Sequence, residues 1–178
     1  MYKLSTTLIS ITMLLTSTLA PAWEPNVNDA LELAVAQAII KAKQRDPAMG
    51  QWFDSAYAYA VFPRVGKGGI VIGGAHGKGL VIRGNSTVGE TSLSQITIGF
   101  QLGGQVYAQY IMFKDHTAFD HYTRGNFEMG AQASAVAITY GASADAAYDD
   151  GVAVFTMADG GLMFEASVGG QKFKFKAR

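Results

Sequence analysis

The basic residues that are the strongest candidates for a binding site lie in a glycine-rich stretch, residues 62–83. Arg64, Lys67, Lys78 and Arg83 stand there among seven glycines, and the stretch contains no acidic residue. Glycines at this density predict a backbone with φ > 0, or one that another surface approaches closely. Two β-branched runs separated by glycine-rich turns indicate a hairpin. The stretch therefore predicts a rigid, basic hairpin, with His76 in a turn, rather than a catalytic loop.

Glycine and lysine together also suggest a phosphate loop, but the spacing argues against one. A P-loop requires G-x-x-x-x-G-K-[ST], whereas Ile72 occupies the first glycine position and Gly79 the Ser/Thr position around Gly77-Lys78. The segment Gly66-Lys67-Gly68 lacks the third glycine of a dinucleotide fingerprint, and no helical pattern follows it. We therefore predict no nucleotide cofactor. With 14 basic and 14 acidic residues, the net charge gives no indication of a nucleic-acid partner either.

A second group of cations stands near the C-terminus. Lys172, Lys174 and Lys176 alternate with Phe173 and Phe175, and a period of two places the lysines on one face of a strand. One interpretation is an edge strand that lysines protect against aggregation. The other is a basic stripe for acidic lipid headgroups, in which each lysine contributes roughly 1 kcal/mol.

A third group closes a predicted N-terminal helix over residues 29–46. Asp29 is a suitable N-cap, and Lys41, Lys43 and Arg45 crowd the last turn, where they complement the helix dipole. Apolar residues recur at helical spacing at Leu31, Val35, Ala38, Ile39 and Ala42. Two interpretations remain open: the helix packs on the β core, or it lies at a membrane surface with its cations among anionic headgroups.

Catalytic and metal-binding patterns are weak. The segment 141–145 contains Ser143 but departs from the nucleophile motif G-x-S-x-G at its last position. His116 and His121 are five residues apart, a poor spacing for two metal ligands on one helix face. The chain has no cysteine. We therefore predict a protein without catalysis, metal or other cofactor.

The composition is that of one folded, exported domain. Hydrophobic residues make up 49% of the 178 residues and charged residues only 16%, which is unlike a disordered chain. Residues 1–22 read as a secretory signal: Lys3 supplies the positive start, residues 8–19 the apolar segment and Ala20-Pro21-Ala22 the cleavage site. We predict cleavage before Trp23 and a periplasmic or envelope-associated location.

The remaining sequence predicts an α+β fold. Strands are expected at residues 57–62, ending at Pro63, at 95–102 and at 106–113, the last central because both of its faces are apolar. Residues 85–94 are polar and predict a loop or edge. A short helix runs from its cap at Asp115 to Arg124, and residues 127–140 predict a strand. Three runs, 151–158, 161–168 and 171–176, predict a closing meander with hairpin turns. The predicted architecture is a strongly bent antiparallel sheet, sandwich or barrel-like, with a long N-terminal helix and a short second helix; the β-rich body spans about 57–176.

Several motifs follow one another in a specific order. They are Tyr57-Ala58-Tyr59-Ala60-Val61-Phe62-Pro63, Gly68-Gly69, the glycines and Val81 of residues 73–81, Ile98-Gly99-Phe100-Gln101-Leu102-Gly103-Gly104-Gln105, Gly125-Asn126-Phe127, Gly130-Ala131-Gln132-Ala133-Ser134 and Gly161-Leu162-Met163-Phe164. Their order and spacing resemble the SYLF domain, a lipid-binding module found in bacteria and eukaryotes. The resemblance implies a non-catalytic lipid-binding module, with eukaryotic relatives that bind phosphoinositides or engage actin and an N-terminal helix that contacts membranes.

Charge and resemblance together predict recognition of anionic lipid headgroups in a bacterial envelope: phosphatidylglycerol, cardiolipin or lipopolysaccharide phosphates. The residues expected to bind are Lys41, Lys43, Arg45, Arg64, Lys67, Lys78, Lys172, Lys174 and Lys176. The alternative is a small outer-membrane β-barrel or structural envelope protein, although most runs are shorter than the about 9–11 residues of a spanning strand. A hydrolase is a third possibility, with Ser143 and His121 as the residues to test.

Overall fold

The structure is a computed structural model, and it describes residues 23–69, 72–98, 105–131, 133–158 and 168–178. The predicted signal, residues 1–22, lies outside this range, as do residues 99–102 of the predicted strand 95–102, residues 161–167 of the predicted run 161–168 and the turn at 159–160. None of the helices in the described part is long and apolar enough to cross a bilayer.

The N-terminal helix forms where the sequence predicts it. Helix α1 spans Ala30–Arg45, and the carboxylate of Asp29 caps it by accepting hydrogen bonds from two backbone N–H groups of the first turn. A short helix, α2, follows at Met49–Ser55. α1 packs its apolar stripe on the sheet, where the hydroxyl of Tyr110 donates a 2.8 Å hydrogen bond to the carbonyl of Ala38. In this structure α1 therefore packs on the β core, which is the first of the two interpretations of the sequence.

Eight described strands form one sheet. They are β1 (Ala58–Gly69), β2 (Ile72–Arg83), β3 (Ser86–Ile98), β4 (Gln105–Phe113), β5 (Phe127–Glu128), β6 (Val136–Ala137), β7 (Val152–Ala158) and β8 (Lys172–Ala177). Helix α3 (His116–Thr123) lies between β4 and β5 in the chain, and a 3₁₀ turn (Ala142–Asp145) lies between β6 and β7. The strand order is β5-β8-β3-β2-β1-β4-β7-β6, antiparallel throughout except for the β6–β7 pair. The predicted α+β class with a strongly bent sheet is confirmed, and the central position of β4 with it.

The sheet curls so that each face covers its own core. The outer face, under α1 and α2, carries Tyr59, Val61, Leu80, Ile82 and Tyr110. The inner face encloses a second core with α3, which includes Ala60, Phe62, Val81, Leu93, Ile111 and Phe173. Gln109 of β4 exchanges 2.7 and 3.1 Å hydrogen bonds with Gln171, directly before β8, although three strands separate β4 from β8 in the sheet. Those bonds cross the inner side of the curl.

Strand β1 does not end at Pro63 as predicted. It continues to Gly69, with one extra residue between Val61 and Arg64 relative to β2. Proline is tolerated at such a β-bulge because no ladder hydrogen bond is required of its nitrogen there. The bulge changes the face to which alternate residues point: Phe62 and Val65, three apart, both join the inner core.

Two predicted turns and loops are strands. The glycine-rich segment 73–79 and His76 lie within β2, not in a turn. Residues 85–94 were expected to form a loop or edge, but most of them belong to β3, which pairs with β2 on one side and β8 on the other. The inner side chains of β3, Thr91 and Leu93, are buried, whereas its outer residues Glu90, Ser92 and Ser94 are polar because α1 does not cover them.

Two further predictions about the second half of the chain were wrong. Residues 127–140 do not form one strand: only the short β5 and β6 are regular, and the segment between them is irregular. The runs that form β7 and β8 do not pair with each other, because β7 joins β4 and β8 joins β3. The short helix predicted from Asp115 is confirmed as α3, capped by that carboxylate.

Candidate cationic face

The sheet register brings three of the predicted cations into one row. Arg64 of β1 lies opposite Lys78 of β2, Lys78 opposite Ser92 of β3, and Ser92 opposite Lys174 of β8. Cross-strand partners share a face. Lys78 lies two residues before Leu80, which packs under α1, so the row lies on the outer face. With strands about 4.8 Å apart, the row spans about 14 Å.

Neighbouring rows add two more lysines to the same face. In the next outer row toward the N-terminal end of β2, Gly66, His76, Ser94 and Lys172 align. In the next outer row toward its C-terminal end, Leu80, Glu90 and Lys176 align. All the cations of these rows are exposed. We call Arg64, Lys78, Lys172, Lys174 and Lys176 the cationic face.

Most of these charges have no acidic partner. In the part of the chain that the structure describes, Arg64, Lys78, Lys174 and Lys176 make no ion pair, and only Lys172 does, with Glu128 at 3.5 Å. Like charges directly opposite each other in a sheet are destabilising. The Arg64–Lys78 pair therefore costs folding free energy, and a bound anion would remove that cost.

Two grooves border this row. A first groove, of about 180 Å³, lies between α1 and the sheet; Gln37 and Lys41 line it from the helix and Arg64 from β1, beside the apolar walls Ala108 and Met157. Lys41 and Arg64, predicted from different parts of the sequence, therefore lie at one site.

The second groove, of about 340 Å³, lies between the outer rows of β2, β3 and β8, and the first turn of α1 overhangs it at Leu31. Lys78, Lys174 and Lys176 line it, with Ser92 between them. Glu90 also lines it: this residue lies opposite Lys176 in the register and accepts a 3.2 Å hydrogen bond from Arg178, which Asp29 and Glu32 share. Three lysines therefore converge at this groove beside Glu90.

The structure does not bring the remaining predicted residues to this face. Lys67 follows the bulge on the inner side, opposite Ala75 of β2. Lys43 pairs with Asp54 at 3.8 Å and lies 5.4 Å from the ring centre of Phe53. Arg45 is exposed at the C-terminal end of α1.

Sequence reasoning missed the role of Arg178. Its guanidinium bonds Asp29 at 2.7 Å and Glu32 at 2.8 Å, which fixes the start of α1 to the end of β8 and, through Glu90, to β3. The hydrogen bond from Arg178 holds the pKa of Asp29 below its usual range, helped by the capped backbone N–H groups. The capping positions Asp29 and Glu32 were visible in the sequence, but nothing local pointed to a partner 149 residues away.

Ser143 has a structural role in this fold. Its side chain is fully buried, and its hydroxyl and backbone N–H donate 2.6 and 2.9 Å hydrogen bonds to the carboxylate of Asp46. Burial alone would raise the pKa of Asp46, but these bonds and that from Ala48 outweigh it and hold the pKa below its usual range. A serine enclosed this way is not an accessible nucleophile, so the geometry gives the hydrolase interpretation no support.

Comparisons with known proteins relate the second half of the chain to a family. Residues 94–177 match the family model described as "Ysc84: Las17-binding protein actin regulator". The chain is also similar to "Beta cell expansion factor A" of Aeromonas veronii, 27% identical over 157 residues. That alignment covers 87% of this chain but only 59% of the relative. The predicted resemblance is confirmed: residues 94–177 match the model of the Ysc84, or SYLF, domain.

Proposed function

We propose that this protein binds anionic lipid surfaces through the cationic face, without catalysing a reaction. The observation that carries the proposal is the row Arg64, Lys78 and Lys174, which the register aligns on one face and which makes no ion pair with any residue that the structure describes. Membership of a family of lipid-binding and actin-regulating domains supports a binding role. The predicted signal at residues 1–22 supports an exported location, where phosphatidylglycerol, cardiolipin and lipopolysaccharide supply the negative charge.

The size and shape of the face suit a surface rather than a small molecule. A row of about 14 Å of long, flexible side chains can follow mobile headgroups without fixing any one of them. Each lysine close to an anionic membrane contributes about 1 kcal/mol. Small side chains between the cations, Gly66, Ser92 and Ser94, let the sheet approach the headgroups closely.

Vesicle sedimentation tests the proposal. Purified protein is expected to bind phosphatidylglycerol vesicles, to bind phosphatidylcholine vesicles far less, and to lose binding as salt shortens the reach of the field. Replacing Lys78→Gln and Lys174→Gln together should weaken binding about 25-fold, at about fivefold for each lysine.

The matched control replaces Lys114→Gln and Arg124→Gln. Both are exposed and flank α3, which packs on the inner side of the sheet, away from the cationic face, and replacing them removes the same total charge. Equal losses in the two double variants would show that only net charge matters, and equal binding to neutral vesicles would remove the electrostatic basis altogether. Either result contradicts the proposal.

A further inference from the structure

The first groove lies where one stripe of α1 crosses the outer face of the sheet. The residues of this stripe are three or four positions apart, so they share one side of the helix: Ala34, Gln37, Ala38 and Lys41. Tyr110 of β4 holds the stripe in place, because its buried hydroxyl donates the 2.8 Å hydrogen bond to the carbonyl of Ala38. The helical wall of the groove is therefore fixed relative to the sheet.

The bulge in β1 builds the opposite wall. The register of β1 against β4 shifts there, so that Pro63 and Arg64 both lie opposite Ala108. Ala108 in turn lies opposite Met157 of β7. Pro63, Ala108 and Met157 thus form an apolar floor, and Arg64 is the cation among the described sheet residues that line the groove.

Two cations meet at this groove from separate elements. Lys41 of α1 and Arg64 of β1 are both exposed, and neither makes an ion pair with any residue that the structure describes. The described lining of the groove contains no acidic residue. The planar guanidinium of an arginine presents a fork of N–H donors that matches a carboxylate in a bidentate arrangement. Gln37 adds a side-chain amide that can donate to the same head.

The apolar walls restrict what can accompany an anionic head. The apolar lining consists of Ala34, Ala38, Pro63, Ala108 and Met157. A polar headgroup would lose its hydrogen bonds to water against such walls. The groove has a volume of about 180 Å³, and an apolar cavity of about 150 Å³ is large enough for benzene. The groove therefore fits a single ring or a short branched alkyl group rather than a long acyl chain.

We infer that the first groove binds a compact apolar carboxylate, such as an arylacetate. The carboxylate lies between Lys41 and Arg64, and the apolar group lies on Ala108 and Met157. A bound carboxylate would also reduce the repulsion between Arg64 and Lys78, which lie opposite each other in the sheet. The site goes beyond the proposed function and does not depend on it, because its ligand is a free small acid rather than a membrane.

NMR titration of the purified protein, labelled with carbon-13 at its methionine methyl groups, tests the site. Phenylacetate is compared with phenylacetamide, which has the same shape without the charge, and with benzylphosphonate, which has a tetrahedral head. Phenylacetate should bind about tenfold more tightly than phenylacetamide, because hydrogen bonds to charged groups are about twice as strong as neutral ones. The methyl signal of Met157 should shift, whereas that of Met49, buried in α2, should not.

Two kinds of variant separate the head of the ligand from its apolar group. Lys41→Gln with Arg64→Gln should reduce the affinity for phenylacetate to that for phenylacetamide. Ala34→Leu narrows the groove without changing its charge, with a residue that helices accept, and should abolish the shift at Met157. Ala36→Leu, on α1 outside the groove lining, is the matched control and should bind phenylacetate as the wild type does. Thermal unfolding of each variant checks that the fold is retained.

Three results of the titration would overturn the inference. They are an unshifted Met157 signal at tens of millimolar phenylacetate, equal binding of phenylacetamide, which would leave only an apolar crevice, and tighter binding of benzylphosphonate, which would leave only a general anion site. Equal losses in Ala34→Leu and Ala36→Leu would place the ligand elsewhere and also overturn it.

Vesicle sedimentation of Ala34→Leu separates this site from the proposed function. The variant retains every cation, so it should still bind phosphatidylglycerol vesicles while it no longer binds phenylacetate, and that result supports a separate site. Parallel loss of both activities in a folded variant would overturn it.

Discussion

At the scale of single residues, the glycines of β1 and β2 differ in whether packing requires a residue without a side chain. The sequence suggested positive φ or a close approach, and no glycine of these two strands has a positive φ among the described residues. A Cβ on Gly79 would clash with the carbonyl oxygen of Val61 at the bulge, whereas a Cβ on Gly66 would meet nothing within 4 Å. Close approach explains Gly79, and packing does not explain Gly66. Sequence alone could not separate them, because the difference depends on where the bulge lies.

We expect opposite effects of alanine at these two positions. Gly79→Ala should destabilise the fold by about 1–3 kcal/mol, since the methyl group meets backbone that cannot move aside. Gly66→Ala should be neutral or stabilise by up to about 1 kcal/mol, because it restricts the unfolded chain at no steric cost. Urea titration followed by circular dichroism measures both; a shift of the same sign and size in the two variants would contradict the close approach at Gly79.

At the scale of elements, α1 is fixed at both ends by contacts that are distant in sequence. Arg178 holds its start, and Asp46, directly after its last turn, accepts hydrogen bonds from Ser143. The extent of α1 and its cap at Asp29 followed from local preferences, so the sequence predicted them. The partners of its ends lie 149 and 97 residues away, and only the tertiary fold determines them.

The Asp46–Ser143 contact predicts a measurable coupling. Ser143→Ala leaves a buried carboxylate without one of its donors and should cost about 1–3 kcal/mol. Asp46→Ala combined with Ser143→Ala should cost less than the sum of the single changes, because the two residues share one interaction. Chemical denaturation of the four proteins gives the coupling energy. Ser94→Ala, on the exposed outer face, is the control and should change stability little; strict additivity at Asp46 and Ser143 would rule out the coupling.

At the scale of the molecule, the prediction succeeded where burial of a strand on both faces requires apolar residues at successive positions. Strand β4 is apolar on both faces because the sheet has a core on each side. It failed for β3, whose outer residues Glu90, Ser92 and Ser94 are polar since α1 stops short of them. The order of the strands was equally out of reach: β8 pairs with β3 across most of the chain, and no local pattern encodes that choice. The sequence predicted the residues of the cationic face individually, and the register of the sheet places them on one face.

The two carboxylates with lowered pKa values set the response of the whole fold to acid. For Asp29 and Asp46 the folded-state pKa lies below the unfolded value, so their contribution is present above the unfolded pKa and is lost as pH falls through the folded one. We expect little contribution from them to any change between pH 7 and 5, and a decline in stability below about pH 4. Thermal unfolding across this range measures it. Asp46→Asn should make the acid decline shallower; an unchanged slope would contradict the assigned pKa direction.

The bulge at Pro63 has a consequence for how the chain tolerates changes in length. Ala58, Ala60 and Phe62 are spaced two residues apart and all point into the inner core. Arg64 is the next position in this series, so a regular strand would point it inward as well. The additional residue reverses that parity, so a guanidinium faces outward and Val65 inward. Removing the extra residue, Pro63, would leave regular pairing in which Arg64 still faces outward and Val65 inward, with the same partners on β2. Removing two residues would instead exchange the two surfaces of the distal half of β1 and drive a charge into the apolar interior. A single deletion at the bulge should therefore be tolerated better than a double one.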